Sequence, residues 1–150
     1  LFPYTTLFRS AKVAANLIKP DLAIAVDVGV AYDVPGMTSE KNEGKLGDGP
    51  LAILMDATSI AHDGLRKHIK DVAEHHNIPV QWATTPGGGT DAGSIHVANE
   101  GIPTITIGVP LRYMHSNVSV LNIDDYTNSV RLITEIVHSL NDDRYQALMW

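Results

Sequence analysis

Apolar residues along this chain change their spacing from one segment to the next, and the changes predict an alternation of strands and helices. Ala11 to Ile18 suits the last turns of a helix that stops before Pro20, because the residue ahead of a proline is pushed out of the helical region. Leu22 to Val28 is a nearly continuous apolar run holding one acid, Asp27, as expected of a strand covered on both faces. Leu51 to Met55, Val80 to Thr85 and the β-branched run Thr104 to Val109 read as three more strands. Thr58 to Asn77 predicts a helix with Ile60, Leu65, Ile69, Val72 and Ala73 on its apolar side. Asp91 to Asn99 reads as a short helix, and Asp124 to Leu140 as a final one with Val130, Ile133, Ile136, Val137 and Leu140 at helical spacing. The order predicts an α/β fold: a partial three-layer α/β/α sandwich around a mixed, largely parallel central sheet. Gly29 to Pro50 is too long to be a mere connector, and ordered loops of that length border sites.

The first ten residues, Leu1 to Ser10, stand apart. They have no starting methionine and no clear helical or strand period, and they hold both phenylalanines. The segment resembles translated adaptor sequence and is set aside as non-native, leaving residues 11–150 as the folded unit. An ordinary amino-terminal arm is the alternative.

Composition narrows the function. The 150 residues are 44% hydrophobic and 19% charged, which is the balance of a folding chain rather than a disordered one. A formal net charge of −6 without a basic stripe argues against nucleic acid as a partner. The absence of cysteine excludes disulfides, thiolate nucleophiles and Cys-ligated metals, so any metal must sit on histidine and carboxylate. Apolar runs are only strand-length and the amino end has no basic-then-apolar signal, so the expected setting is cytoplasmic with no membrane span.

In open α/β sheets ligands bind beyond the carboxyl ends of strands, which directs attention to Asp27, to Gly87-Gly-Gly-Thr-Asp-Ala92 and to Arg112-Tyr-Met-His-Ser116. An ionised Asp27 between Val26 and Val28 costs several kcal/mol to desolvate unless backbone amides or a cation compensate, so it reads either as a satisfied buried acid or as a metal ligand. His115 is a candidate imidazole ligand or an ordinary loop residue. His62, His68, His75, His76, His96 and His138 read as residues of solvated helix faces. The Gly87 segment fits a loose G-x-G-x-x-A dinucleotide fingerprint, a glycine-lined approach for a peptide-like ligand, or simply a tight turn with Thr90 or Asp91 capping the next helix.

Six ordered blocks carry a more specific signal: Asp27 in Ala25-Val-Asp-Val28, Asp33-Val-Pro-Gly36, Leu46-Gly-Asp-Gly-Pro50, Gly89-Thr-Asp-Ala92, Gly101-Ile-Pro103 and Arg112-Tyr-Met-His-Ser116. Together they resemble the glutamyl-aminopeptidase or tetrahedral-aminopeptidase family of dinuclear metallopeptidases, from about Ala11 to Leu140. The resemblance implies the zinc-peptidase-like catalytic fold, of which residues 11–150 would be the carboxyl-terminal half. It further implies that Asp27 ligates one of two divalent ions (zinc, cobalt or manganese) and that His115 ligates the other. Asp33, Thr90, Asp91 and Ser116 become substrate-loop residues or groups that orient the ligands. The family's paired glutamates, one of them the general base, would fall at positions 4 and 5, where this sequence has Tyr4 and Thr5. Neither takes a proton from water near neutral pH, so no general base is expected within these residues.

The expected function is therefore a metal-dependent aminopeptidase that removes amino-terminal residues from peptides and self-associates when complete, present here as an inactive fragment. The alternatives are a non-catalytic α/β module that binds peptides or partners and, behind it, a dinucleotide-binding domain.

Overall fold

The computed structural model describes residues 4–36 and 44–149, with side chains from residue 10 onward. Strands β1 (Ala23–Val30), β2 (Leu51–Asp56), β3 (Gln81–Thr85) and β4 (Thr104–Leu111) form one sheet in the order β1-β4-β2-β3. β1 pairs with β4 in parallel and β2 with β3 in parallel, while β2 and β4 run antiparallel. The sheet is thus mixed, two parallel pairs joined back to back. Helices α1 (Tyr4–Ile18), α2 (Asp63–His76), α3 (Ala92–Ile95), α4 (Ile123–Ser139) and α5 (Asp142–Met149) complete the fold.

Two apolar clusters show the layering. Ile105 and Ile107 of β4 meet Leu65 and Ile69 of α2, Leu132 and Ile136 of α4 and Leu148 of α5 on one face of the sheet. Burying each large side chain of this kind contributes about 1.5–3 kcal/mol. On the other face Ala15 of α1 packs with Ala98 and Ile102 beside α3. Both faces of β4 are covered, as its buried run from Thr104 to Gly108 requires. Gly64 is what allows α2 to meet α5, because a Cβ there would stand 2.0 Å from the carbonyl oxygen of Leu148.

The structure alters several expectations. α1 reaches back to Tyr4 although no period is visible there, since a helix anchored at Ala15 propagates through residues of ordinary propensity. α2 begins at Asp63 rather than Thr58, because the Asp56 carboxylate folds residues 58 and 59 into a turn; Ile60 is exposed. α4 buries Asp125, Ser129, Leu132 and Ile136, which leaves Val130 and Val137 outside. His68 lies buried between α2 and α4, with its Nε2 at 2.9 Å from Ser139 Oγ, and is not on a solvated face. α5 lies beyond the last helix expected. Part of the long loop is ordered by the buried Asp125, which accepts from the amides of Gly47 and Gly49 at 2.7 and 2.8 Å.

Candidate metal centre

Because β1 and β4 are parallel neighbours, with Asp27 in register with Gly108, their carboxyl ends open at the same edge of the sheet. Asp27 lies just before that edge on β1, and His115 lies in the loop just after it on β4. Alternation along β1 puts Asp27 on the same face as Ala23 and Ala25, the face that α1 and α3 cover.

Asp27 is exposed, which corrects the expectation of a strand wrapped on both sides. β1 has β4 as its strand partner among the described residues, and Val26 and Val28 beside Asp27 are 64% and 36% exposed. The carboxylate accepts from the next amide, Val28 N, at 2.7 Å. Its charge is hydrated, so the desolvation argument for a compensating cation does not apply to these residues.

The residues of the Gly87 loop reach the site by another route than the one expected. β3 runs opposite to β1 and β4, so the loop after it leaves the far edge of the sheet and returns across the face. It is pinned there by Thr90, whose amide and hydroxyl donate to Asp56 Oδ2 at 3.1 and 2.8 Å and whose oxygen lies 2.9 Å from Thr106 Oγ1. Thr90 is thus a buried anchor of this turn. Asp56 accepts five hydrogen bonds in all from Thr58, Ser59 and Thr90. Burial alone would raise its pKa, yet these donors outweigh burial and hold the carboxyl below its ordinary 3.8.

Asp91 follows, heading α3 without capping it by its side chain. Burial raises its pKa, and the charge of Asp27 raises it further, so the two carboxylates sense one another. The glycines flanking this turn serve packing. A Cβ on Gly93 would stand 2.1 Å from Thr58 Oγ1, and one on Gly89 would stand 2.9 Å from Thr58 Cγ2. The amides of Gly93, Ser94 and Ile95 are spent on Thr90 and Asp91 carbonyls. Filled by Thr58 and faced by two carboxylates, the loop is no phosphate cradle, which removes the support for the dinucleotide reading.

The His115 loop is closed at its base by a two-hydrogen-bond bridge between Arg112 and Val120. Within it Tyr113 (φ 58°) and His115 (φ 66°) both occupy the left-handed region, each at a cost on the order of 1 kcal/mol. Ser116 Oγ lies 2.6 Å from the carbonyl oxygens of Tyr113 and Val118, so its hydroxyl shapes the loop. His115 itself is exposed. Asp33 sits beside the loop base, where Arg112 Nε donates to Oδ1 at 3.0 Å and Arg112 Nη2 to Oδ2 at 2.5 Å. The guanidinium bonds lower the Asp33 pKa, burial opposes them, and the amide of Leu46 assists.

The donor types suit a divalent ion, but the set is incomplete. Among the described residues no group of three or more His, Asp or Glu side chains converges, and a tightly held ion needs at least that many. Asp27 and His115 therefore do not make a metal site by themselves. Tyr4 and Thr5 lie in the first turn of α1, with side chains outside the described set. Asp56 and Asp125 carry no role in the sequence reading of site and loop residues, and Arg112 stands in the His115 block without one. The Asp56-Ala-Thr-Ser59 pattern, an acid followed by hydroxyl residues at turn spacing, was the available signal for the first of them.

Comparison with known proteins adds the context. The chain is 43% identical over 129 residues to a putative aminopeptidase of Acetivibrio thermocellus and 38% identical over 136 residues to the glutamyl aminopeptidase of Lactococcus lactis. Those matches take in 86% and 91% of this chain but only 38% and 37% of the relatives. In structure it superimposes on the TET aminopeptidase of the marine archaeon Thaumarchaeota archaeon SCGC AB-539-E09 with a TM-score of 0.91 at 33% identity, covering 97% of this chain and 40% of that one. An aminopeptidase from Desulfurococcus kamchatkensis gives 0.90 at 34% identity, covering 94% and 40%. The chain thus spans about two fifths of the length of the proteins it matches. Residues 8–132 match the M42 glutamyl aminopeptidase family, and the chain belongs to that family.

Proposed function

We propose that residues 11–150 are the carboxyl-terminal part of the catalytic domain of a metal-dependent aminopeptidase, which hydrolyses amino-terminal residues from peptides. The observation that carries this reading is the parallel pairing of β1 with β4, which brings Asp27 and His115 to one sheet edge inside the matched region. In the whole protein each would ligate one of two divalent ions, zinc, cobalt or manganese, which such ligands suit alike. The remaining ligands and the general base would come from other parts of the whole protein. Bound ions of this kind would polarise the scissile carbonyl and supply hydroxide near neutral pH. The part these residues play is to hold one carboxylate and one imidazole at the edge, with Asp91 facing Asp27 and with Asp33 and Ser116 shaping the surroundings. Thr90 acts at one remove, by holding the turn that presents Asp91.

The amino-terminal segment we read as foreign to the gene through residue 7, since the family match begins at residue 8, after the Tyr4 and Thr5 positions, and takes in residues 8–10. No helix among the described residues is long and apolar enough to cross a membrane; a cytoplasmic setting is part of the proposal. One similar structure is described as a dodecamer, and the Pyrococcus horikoshii TET1 peptidase as assembling into a tetrahedron or a large octahedral shell. A homo-oligomer is the corresponding proposal for the whole protein.

The test joins residues 11–150 to the amino-terminal part of the Acetivibrio relative and assays amino-acid anilides with zinc, cobalt or manganese. Hydrolysis that disappears in Asp27→Ala and His115→Ala supports the proposal. No hydrolysis with any of the three ions contradicts it and favours a non-catalytic binding module.

A further inference from the structure

The loop that carries His115 is well braced internally. Ser116 and Ser119 hydroxyls both reach the Tyr113 carbonyl, and the Arg112–Val120 bridge closes the base. What ties this loop to the segment following β1, the strand that bears Asp27, is a different contact. The Arg112 side chain crosses to Asp33 and grips both carboxylate oxygens, while the Leu46 amide donates to Oδ2 from a third segment at 3.3 Å. That third segment is itself fixed. Asp125 of α4 holds Gly47 and Gly49, and the Gln81 side chain bonds Lys45 N, Lys45 O and Gly49 O at 2.7–2.9 Å. An unbroken line of hydrogen-bonded groups therefore runs from α4 through residues 44–50 and Asp33 to Arg112.

We propose that the Asp33–Arg112 pair is a positioning clamp, with Arg112 setting the place of His115 relative to Asp27 and Asp33 orienting Arg112. The physical case is geometric. A planar guanidinium gripping a carboxylate with two parallel bonds fixes direction as well as distance, which a single ammonium contact does not. The pair is partly buried, with side chains 32% (Arg112) and 22% (Asp33) exposed, so solvent screens it somewhat less than a fully open surface pair. Two left-handed residues inside a short loop hold their conformation only where the surroundings over-determine it, and the clamp supplies the outer part of that restraint. The consequence for catalysis rests on the reading of His115 as a ligand; the clamp itself does not.

Amide hydrogen exchange by NMR on the full chain tests it, comparing wild type with Asp33→Asn, Asp33→Glu and Arg112→Lys. The expected result is exchange about tenfold faster at the hydrogen-bonded amides of Arg112, Ser116 and Val120 in Asp33→Asn and Arg112→Lys. Asp33→Glu should recover part of the protection, and core amides such as Ile107 and Leu132 should keep theirs in every variant. Unchanged exchange in the loop overturns the proposal. So does an equal loss of protection in loop and core, which would make the pair a general stabiliser. Zinc titration of the domain completed with the Acetivibrio amino-terminal part separates this from the reading beneath it: if His115→Ala leaves metal affinity and stoichiometry unchanged there, the ligand reading fails while the exchange result still decides the clamp.

Discussion

The hydroxyl of Thr90 donates to the carboxylate of Asp56 at 2.8 Å, fastening the loop after β3 onto the end of β2, the parallel neighbour of β3. Both groups are buried, and Thr90 also meets Thr106 in the middle of β4. Thr90→Val keeps the shape but strips one donor from Asp56 and orphans the Thr106 contact, so it should cost about 1–3 kcal/mol in urea unfolding. A change below about 0.5 kcal/mol would mean that water replaces the bond and that Thr90 is no anchor.

Asp56 also sets an acid limb. Its folded-state pKa lies below the ordinary 3.8, so the folded state favours the charged form. That contribution is present above the unfolded value and is lost as pH falls through the folded one. Asp56→Asn should be less stable than wild type at neutral pH, and its stability should fall less steeply below about pH 4. Parallel acid limbs in the two proteins would show that the five donors do not hold the charge.

His68 works in the opposite pH range. Burial lowers its pKa from 6.5, and the nearby Arg144 charge lowers it further, against a smaller upward pull from the Ile136 carbonyl and Asp71. The fold favours the neutral ring, so its contribution is whole above pH 6.5 and is lost as pH falls through the lower folded value. His68→Leu leaves the Ser139 hydroxyl its bond to the Ile136 carbonyl and should remove this limb, narrowing the stability gap between pH 7 and pH 5. Thermal unfolding at the two pH values measures it; an unchanged gap refutes the assignment.

Gly64→Ala opposes two effects of known sign. Within an exposed helix the change would stabilise by about 1 kcal/mol. Here the new methyl would meet the Leu148 carbonyl, so a net loss of about 1–3 kcal/mol and release of α5 are expected, read by urea unfolding and by proteolysis after Asn141. A gain in stability would show that α5 does not rest on α2.

How much of this was legible beforehand depends on what periodicity encodes. All four strands and the α/β sandwich follow from apolar runs, because burial of β4 and of the α2 stripe at Leu65, Ile69 and Val72 is a local property of the chain. Strand direction is not local. The antiparallel meeting of β2 with β4 leaves no trace in spacing, so the route of Thr90 and Asp91 to the site was misread. Exposure at Asp27 is likewise decided by which strands flank β1. In α4, apolar residues occupy both sides, and the inward face is marked by Asp125 and Ser129, whose polar groups are satisfied by loop amides and a helix carbonyl. α5 buries Leu148 alone among its residues, too little to show as a period.

The most direct test of the central claim is zinc titration by calorimetry of the domain completed with the Acetivibrio amino-terminal part, as wild type, Asp27→Asn and His115→Ala. The account predicts two tight ions for the wild type and one fewer, or affinity lowered at least about tenfold, in each variant. Unaltered stoichiometry and affinity in both variants would contradict it.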